Sequence, residues 1–148
     1  MKITSTEQVF NSCKWVNLNC LVFDLYSSVF KKSVPVEIDF DPNQPTKEIR
    51  DKTLASIIEF QTLSTAELDE IYNAMWQFVL RWRSEEDRHR MGISQKSEAI
   101  NKTTFSGVGF INDEKLDHTF FYIFLSVDWD TEHGVTISYY NGKLDDVE

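Results

Sequence analysis

The sequence predicts a single α+β domain over residues 1–148, with a mainly antiparallel sheet of about five or six strands and two helices packed on one face. Several segments alternate apolar and polar residues with the period of a strand, and two segments repeat apolar residues at helical spacing. Asn141-Gly142 marks a tight hairpin near the end. The 11 Phe, 5 Tyr and 4 Trp provide enough apolar area for a core without disulfides or metals.

The first two predicted strands lie in the N-terminal third of the chain. The segment 15–26 is apolar on one face throughout and on both faces further along, which predicts one strand entering a covered sheet. Its continuous apolar face comprises Val16, Leu18, Cys20 and Val22. The segment 34–40 alternates cleanly, and Pro35, which cannot donate to a ladder, indicates an edge strand or a strand start. The buried face of that strand comprises Val34, Val36, Ile38 and Phe40.

Cys13 and Cys20 are the two cysteines of the chain. On one extended segment they would lie about 23 Å apart, which is beyond the reach of a disulfide. We therefore expect two reduced thiols.

Two helices are predicted in the middle of the chain. Thr46 is placed to cap the first, whose apolar stripe comprises Ile49, Thr53, Leu54, Ile57 and Ile58. The capping box Ser64-Thr65-Ala66-Glu67 begins the second, with Leu63 placed to pack on Leu68. The apolar face of this second helix comprises Leu68, Ile71, Tyr72, Met75, Val79 and Trp82.

The arginine-rich run 81–90 is nearly neutral, because its four arginines are matched by three carboxylates. Cations near a helix C-terminus complement the helix dipole, and we interpret the run in that way rather than as a nucleic-acid site. Residues 92–103 are polar and predict a mobile connection.

The C-terminal part of the chain predicts an antiparallel meander. The segment 105–111 is a strand whose glycines permit a bulge or the close approach of another backbone. The segment 118–127 is apolar on both faces, which favours the centre of the sheet. A strand at 135–140 then leads through the Asn141-Gly142 turn into a short final strand at 143–147.

The net charge of −9, from 24 acidic and 15 basic residues, argues against a protein that binds nucleic acid by neutralising phosphates. From Asp113 onward, nine carboxylates accompany only two lysines. This excess is consistent with ordinary solubility, and equally with a field directed at a basic partner. The N-terminus lacks a signal-type apolar run and no stretch has the length of a membrane helix, so we expect a cytoplasmic protein without a membrane partner.

The segment 128–134, Asp-Trp-Asp-Thr-Glu-His-Gly, holds the candidate functional residues. Three alternating carboxylates and an imidazole are possible ligands for a divalent metal, so a metal-binding module or metal-dependent hydrolase is one alternative. The spacing departs from a calcium loop of the EF-hand type, because His133 stands where that loop needs Gly and Tyr139 where it needs Glu. No catalytic triad, phosphate loop or zinc motif is present, and we assign no catalytic residue, no metal site and no cofactor.

Two further interpretations of this segment remain open. It fits a hairpin connection in which Trp129 packs, Gly134 takes a special backbone conformation and His133 forms a local hydrogen bond. It also fits a recognition surface, since clustered carboxylates attract a cationic partner and aromatic residues anchor interfaces. The candidate partner-binding residues are Asp128, Trp129, Asp130, Glu132, His133 and Tyr140.

The run 129–135 followed by Tyr139-Tyr140-Asn141-Gly142-Lys143-Leu144 resembles a group of small bacterial proteins that carry a Trp-Asp-x-Glu-His-Gly turn. Several of these resemble immunity proteins of polymorphic or contact-dependent toxin systems. The resemblance implies a non-enzymatic inhibitor that binds a cognate toxin in the cytoplasm. It implies a basic toxin domain, such as a nuclease, whose substrate cleft an acidic surface would block. It transfers no catalytic residue and indicates no oligomeric state.

Overall fold

The computed structural model describes residues 2–17, 19–44 and 47–148, and these form an α+β fold with a mainly antiparallel sheet. The described residues contain seven strands and five helices, so the predicted five or six strands and two helices were too few. The strands are β1 (Lys14–Asn17), β2 (Cys20–Ser27), β3 (Lys32–Phe40), β4 (Thr103–Asn112), β5 (Phe120–Val127), β6 (Asp130–Tyr140) and β7 (Lys143–Val147). The helices are α1 (Thr6–Ser12), α2 (Asp51–Gln61), α3 (Thr65–Trp82), α4 (Glu85–Arg90) and α5 (Lys96–Asn101).

The strands lie side by side in chain order, and every neighbouring pair is antiparallel except β3 and β4. That parallel pair begins at Val36 opposite Val108 and joins an N-terminal three-stranded unit to the C-terminal four-stranded meander. The chain between the two strands carries α2 to α5, as a parallel connection requires a long crossover.

The prediction of one strand over 15–26 was wrong. The chain turns between Asn17 and Cys20, and β1 pairs back on β2. The predicted buried face was also wrong, because Val16 is exposed whereas Leu21, Phe23 and Leu25 are buried. Residue 18 lies outside the described residues.

The structure confirms the alternation in β3, whose Val34, Val36, Ile38 and Phe40 are all buried. The edge position predicted from Pro35 was wrong, since β3 lies between β2 and β4. Pro35 is tolerated there because it precedes Val36, where the ladder to β4 begins, so its missing N–H removes no bond from that ladder.

Helix α2 presses its C-terminal half on the sheet through Phe60, whose ring packs against those of Phe105, Phe110 and Phe121. The predicted cap at Thr46 lies outside the described residues, and the residue that precedes the helix is Arg50. Ile49 is therefore buried just before the helix rather than within it.

Helix α3 begins at the predicted capping box, where the Glu67 carboxylate accepts a hydrogen bond from the Ser64 backbone N–H at 2.8 Å. Ile71, Met75 and Val79 form the buried stripe, as predicted. Trp82 was wrongly assigned to that stripe and is 67% exposed, because the helix ends there beyond the sheet.

Residues 92–103 do not form the predicted polar connection. They contain the short helix α5, and their Ile93 and Ala99 are fully buried. Another short helix, α4, precedes them. The arginine-rich run is likewise divided, since its first part closes α3 and Arg88 and Arg90 lie in the last turn of α4.

The C-terminal meander agrees closely with the prediction. Asn141 and Gly142 have φ values of 51° and 82°, which are the positive values that a tight turn of this type requires, and β7 spans the predicted residues. Strand β4 has a bulge between Phe105 and Gly107. Both cysteines are free, and they lie on different elements, Cys13 after α1 and Cys20 at the start of β2.

None of the helices in the described residues combines the length and the apolar character that a membrane crossing requires.

Candidate functional site

The segment 128–134, which we call the acidic turn, joins β5 to β6. Val127 pairs with Asp130, so Asp128 and Trp129 alone form the tip of the hairpin. The next pair in the ladder is Leu125 with Val135, and the residues between Asp130 and Val135 therefore bulge out of the sheet. The structure places a tight hairpin with a bulge here, in agreement with the interpretation of this segment as a hairpin connection.

Backbone requirements explain the shape of this bulge. Gly134 has φ 65°, and a Cβ atom there would lie 2.6 Å from the carbonyl oxygen of Leu125. The Asp130 Oδ1 atom accepts a hydrogen bond from the His133 backbone N–H at 3.2 Å, which closes the bulge from inside. The Asp128 N–H donates to the Lys102 carbonyl oxygen at 3.0 Å and fastens the tip to the end of α5.

The carboxylates of the acidic turn differ in their surroundings. Asp130 is half-buried, 3.1 Å from the His133 Nδ1 atom and 3.8 Å from the Arg83 guanidinium. Its hydrogen bond with the His133 side chain is the largest of the effects that lower the pKa of Asp130 below its usual range. Asp128 and Glu132 are exposed, and neither has an ion-pair partner in the part of the chain that the structure describes.

Beside the acidic turn, a cleft of about 310 Å³ separates the bulge from the C-terminal end of α3. Its apolar walls come from Phe78, Trp82 and Trp129, and its polar residues are Arg83, Asp130, His133 and Glu148. Trp129 is half-buried against the core, whereas Trp82 is largely exposed. The cleft therefore combines two tryptophans of different exposure with charges of both signs.

Sequence reasoning did not connect Trp82, Arg83 and Glu148 with the acidic turn. The helical pattern placed Trp82 in the core, and Arg83 was treated as part of a nearly neutral run. Glu148 reaches the cleft because its backbone exchanges two hydrogen bonds with Thr136, which carries the C-terminus back toward the bulge. Pairing of β7 with β6 at the Asn141-Gly142 turn was the available signal for that return.

The predicted site residue Tyr140 lies at the wrong end of the molecule. It pairs with Phe120 at the start of β5, about 20 Å along the strand from the acidic turn. Its ring packs against that of His118 in a tilted arrangement, with centroids 3.8 Å apart. Its neighbour Tyr139 is 1% exposed and stacks on Phe121 inside the core.

The predicted concentration of negative charge in the C-terminal third is also divided by the fold. Asp113, Glu114 and Asp117 lie between β4 and β5, whereas Asp128 and Glu132 follow the opposite end of β5. Glu114 is further paired with Arg50 at 3.5 Å. The field that a partner would meet at the acidic turn is therefore smaller than the sequence count indicates.

Within residues 2–17, 19–44 and 47–148, no group of three or more His, Cys, Asp or Glu side chains is arranged to hold a metal ion. The oxygen of Asp130 nearest to His133 is engaged in local hydrogen bonds. The alternative of a metal-binding module has no coordinating cluster in these residues to support it.

Comparison with known proteins gives one match. A family model described as "Domain of unknown function (DUF6985)" matches residues 4–148. No curated protein and no solved structure matches the chain.

Proposed function

The chain belongs to the DUF6985 family, whose description is a domain of unknown function, and for this member we propose the role of an immunity protein that binds and neutralises a cognate bacterial toxin in the cytoplasm. The toxin is inhibited by occlusion, and no bond is made or broken. The resemblance of the acidic turn to the Trp-Asp-x-Glu-His-Gly proteins supplies the class of partner. The geometry of the turn supports the mode of binding.

The observation that carries the proposal is the presentation of two unpaired carboxylates on a braced support. Asp128 and Glu132 are exposed, while Asp130 and Gly134 hold the backbone between and after them in one shape. A surface that is already ordered loses little conformational entropy on binding, so its charge contributes more fully to affinity. Asp130 has a different role, which is to position the bulge.

Two tryptophans beside the turn are suited to anchoring a partner. Trp82 is 67% exposed at the end of α3, and the half-buried Trp129 forms the adjoining wall of the cleft. Tryptophan is enriched among residues whose truncation weakens interfaces most, because its large ring excludes water from neighbouring polar contacts. These rings would pack on the toxin surface beside the basic side chains that pair with Asp128 and Glu132.

A basic toxin domain, such as a nuclease with a cationic substrate cleft, matches this surface. The two exposed carboxylates would occupy positions that phosphates take in the substrate, and the bulk of the fold would then block the cleft. Electrostatic complementarity of this kind accelerates encounter more than it slows dissociation.

The first test is protection of growth. A toxin gene adjacent to the gene for this protein is expressed in a sensitive bacterial strain with and without it. We expect restored growth and co-purification of the two proteins. Growth arrest that persists although both proteins accumulate would refute the proposal.

The second test measures the association rate of purified toxin with a charge-reversal variant, Asp128→Lys with Glu132→Lys. We expect an association rate about tenfold lower at low ionic strength and a smaller difference at high salt. The matched control is Asp69→Lys with Glu70→Lys, which reverses two exposed charges on α3. The control therefore has the same net charge as the variant of the acidic turn. Equal rates for the two variants would remove the acidic turn from the interface.

A further inference from the structure

The sheet face opposite the helices carries a column of aromatic side chains on β5. Phe121, Ile123 and Leu125 point into the core and are at most 2% exposed. The residues between them, Phe120, Tyr122 and Phe124, are half-buried and point the other way. We call the surface centred on Phe120, Tyr122 and Phe124 the open face.

These three rings form a continuous platform. Phe120 and Tyr122 meet edge to face with centroids 4.7 Å apart, and Tyr122 and Phe124 are stacked with centroids 6.4 Å apart. The neighbouring strand β4 has glycine at 107 and 109, and a Cβ atom on Gly109 would lie 3.1 Å from Cζ of Phe124. The Phe124 ring therefore lies directly over the backbone of Gly109. A larger residue at that position would push the ring away.

Carboxylates flank the aromatic column on both sides. In one row across the sheet, Tyr122 is followed by Gly109 and Glu37 in one direction and by Ser138 and Asp146 in the other. Each carboxylate thus lies two strands from the ring, or about 10 Å. The pKa of the Tyr122 hydroxyl is raised, chiefly by burial and then by Asp39 and Glu148, which agrees with negative charge on either side.

Cations are confined to the margins of this surface. Lys14 lies on β1 opposite Val22, and Lys143 lies opposite Tyr140 at the far end of β6. Between them the exposed charged residues Glu37, Asp39 and Asp146 are all acidic. The open face therefore has an aromatic centre with an acidic border, and neither a nucleic acid nor a second copy of this acidic chain complements it.

We propose that the open face binds an arginine-rich segment of a partner protein. The guanidinium group is planar, stacks on aromatic rings and is weakly hydrated, so it can lie on Tyr122 or Phe124 while its N–H groups face a carboxylate. Successive arginines would follow the aromatic column, and the flanking acids would pair with those at its sides. Lysine offers the same charge without the planar group.

The open face is continuous with the acidic turn. A groove of about 300 Å³ connects them, bounded by Phe124 and Thr136 on the sheet and by Asp128 and Glu132 on the turn. One partner can therefore contact both surfaces. The inference extends the proposed interface, and it does not require that the partner be a toxin.

The experiment uses the full chain and two synthetic ten-residue peptides, one alternating arginine with glycine and one alternating lysine with glycine. Binding is followed by amide chemical shifts and by titration calorimetry at low and high salt. We expect the arginine peptide to shift the amides of β4 and β5 and to bind about two- to fivefold tighter than the lysine peptide. Equal affinities, or shifts scattered over the surface, would overturn the proposal.

Variants separate this surface from the general negative charge of the protein. Glu37→Gln with Asp39→Asn removes two acids from the open face, and Glu85→Gln with Glu86→Gln removes two exposed acids from α4. Both have the same net charge, and we expect only the first to weaken binding of the arginine peptide. Tyr122→Leu should reduce the preference for arginine over lysine while the circular dichroism spectrum is retained. Equal weakening by the two acid variants, or a preference unchanged in Tyr122→Leu, would contradict a site on the open face.

The outcome is distinguishable from that of the toxin tests. A chain that protects cells and yet shows no arginine preference would retain the proposed function and lose the open-face site. If the chain binds the arginine peptide at β4 and β5 but does not protect cells, the open-face site is supported and the proposed toxin-neutralising function is refuted. A neutral oligosaccharide that shifts the same amides, with an affinity independent of salt, would also overturn the proposal of a cationic occupant.

Discussion

Gly134 shows most directly how one residue determines the shape of the acidic turn. It combines a positive φ with a backbone contact that leaves no room for a side chain. Gly142 at the next hairpin also has a positive φ, but a Cβ atom there would have its nearest contact, the Glu59 Oε2 atom, at an ordinary distance of 3.9 Å. The sequence indicated a special conformation at position 134, and the structure confirms it. The steric reason, which is the Leu125 carbonyl, could not be read from the sequence because it depends on the register of β5.

The pair of glycines therefore gives a prediction with an internal control. We expect Gly142→Ala to lower the free energy of unfolding by about 1–2 kcal/mol, the usual cost of a left-handed conformation for alanine. Gly134→Ala should cost at least about 1 kcal/mol more, because a Cβ atom 2.6 Å from a carbonyl oxygen forces the backbone to move. Urea denaturation measures both, and equal losses would show that the bulge relaxes freely.

Asp130 gives a prediction about pH. Because its pKa is lowered in the folded protein, chiefly by the hydrogen bond to His133, its contribution to stability is present above the unfolded value of about 4 and is lost as pH falls below it. Asp130→Asn removes the titrating group. We expect the variant to be less stable than the native protein at neutral pH and the difference to shrink in acid.

Denaturation midpoints at a series of pH values measure this effect. Some acid sensitivity should remain in Asp130→Asn, since Glu67 and Asp117 also have lowered pKa values. A stability difference that stays constant down to the lowest pH would show that Asp130 acts without its charge.

At the scale of elements, the sequence predicted best those segments whose local pattern has one solution. Strand β3, the start of α3 and the β6–β7 hairpin each have strict alternation, a capping box or an Asn-Gly turn, and all three were confirmed. The segment 15–26 has apolar residues on both faces, so its alternation could not decide which face is buried. The chain turns between Asn17 and Cys20, and the residue type of Asn17 and Asn19, which is typical of turns, was the available signal.

Short helices were missed for a different reason. Helices α1, α4 and α5 have six or seven residues, too few for apolar periodicity to be distinguished from coincidence. The candidate site was incomplete for the same kind of reason, since Trp82 joins the cleft only because α3 ends beside the β5–β6 hairpin. A contact between elements that are far apart in the sequence produces no local sequence pattern from which it could be predicted.

Asn112 binds the segment that precedes α2 to the end of β4. Its side chain, fully buried at the end of β4, donates to the Glu48 carbonyl oxygen at 2.7 Å and accepts from the Arg50 N–H at 2.8 Å. We expect Asn112→Ala to cost about 2–3 kcal/mol, because two backbone groups lose their partner. Faster hydrogen exchange at the Arg50 amide should accompany the loss.

The control for this variant is Asn101→Ala, at an exposed position at the end of α5, where we expect a change within about 0.5 kcal/mol. If Asn112→Ala and Asn101→Ala have equal stability, water replaces the buried amide without cost. Protection at Arg50 that remains unchanged would show that other contacts hold the segment before α2.

At the scale of the whole molecule, stability and recognition are assigned to different aromatic residues. Phe60 packs against three other rings between α2 and the sheet, whereas Trp82 is largely exposed at the end of α3. We expect Phe60→Ala to lower the free energy of unfolding by about 3–5 kcal/mol, as a truncated core aromatic does. Trp82→Ala should change stability by about 0.5 kcal/mol or less and weaken partner binding.

Chemical denaturation and binding measured on the same two variants test this division. A large loss of stability in Trp82→Ala would place its ring in the core after all. If Trp82→Ala binds the partner with unchanged affinity, the cleft is not part of the interface. That result would not bear on the acidic turn, which the charge-reversal variant tests.

The parallel pairing of β3 with β4 also determines the order in which this chain can assemble. Strands on either side of that seam belong to hairpins that close through short turns, whereas Val36 reaches Val108 only after the helical crossover has returned to the sheet. Closing so long a loop costs more chain entropy than closing a turn, so we expect the two hairpin units to form early and their union to limit the folding rate. A nascent chain leaving the ribosome would accordingly hold an unsatisfied β3 edge until its last third had been synthesised.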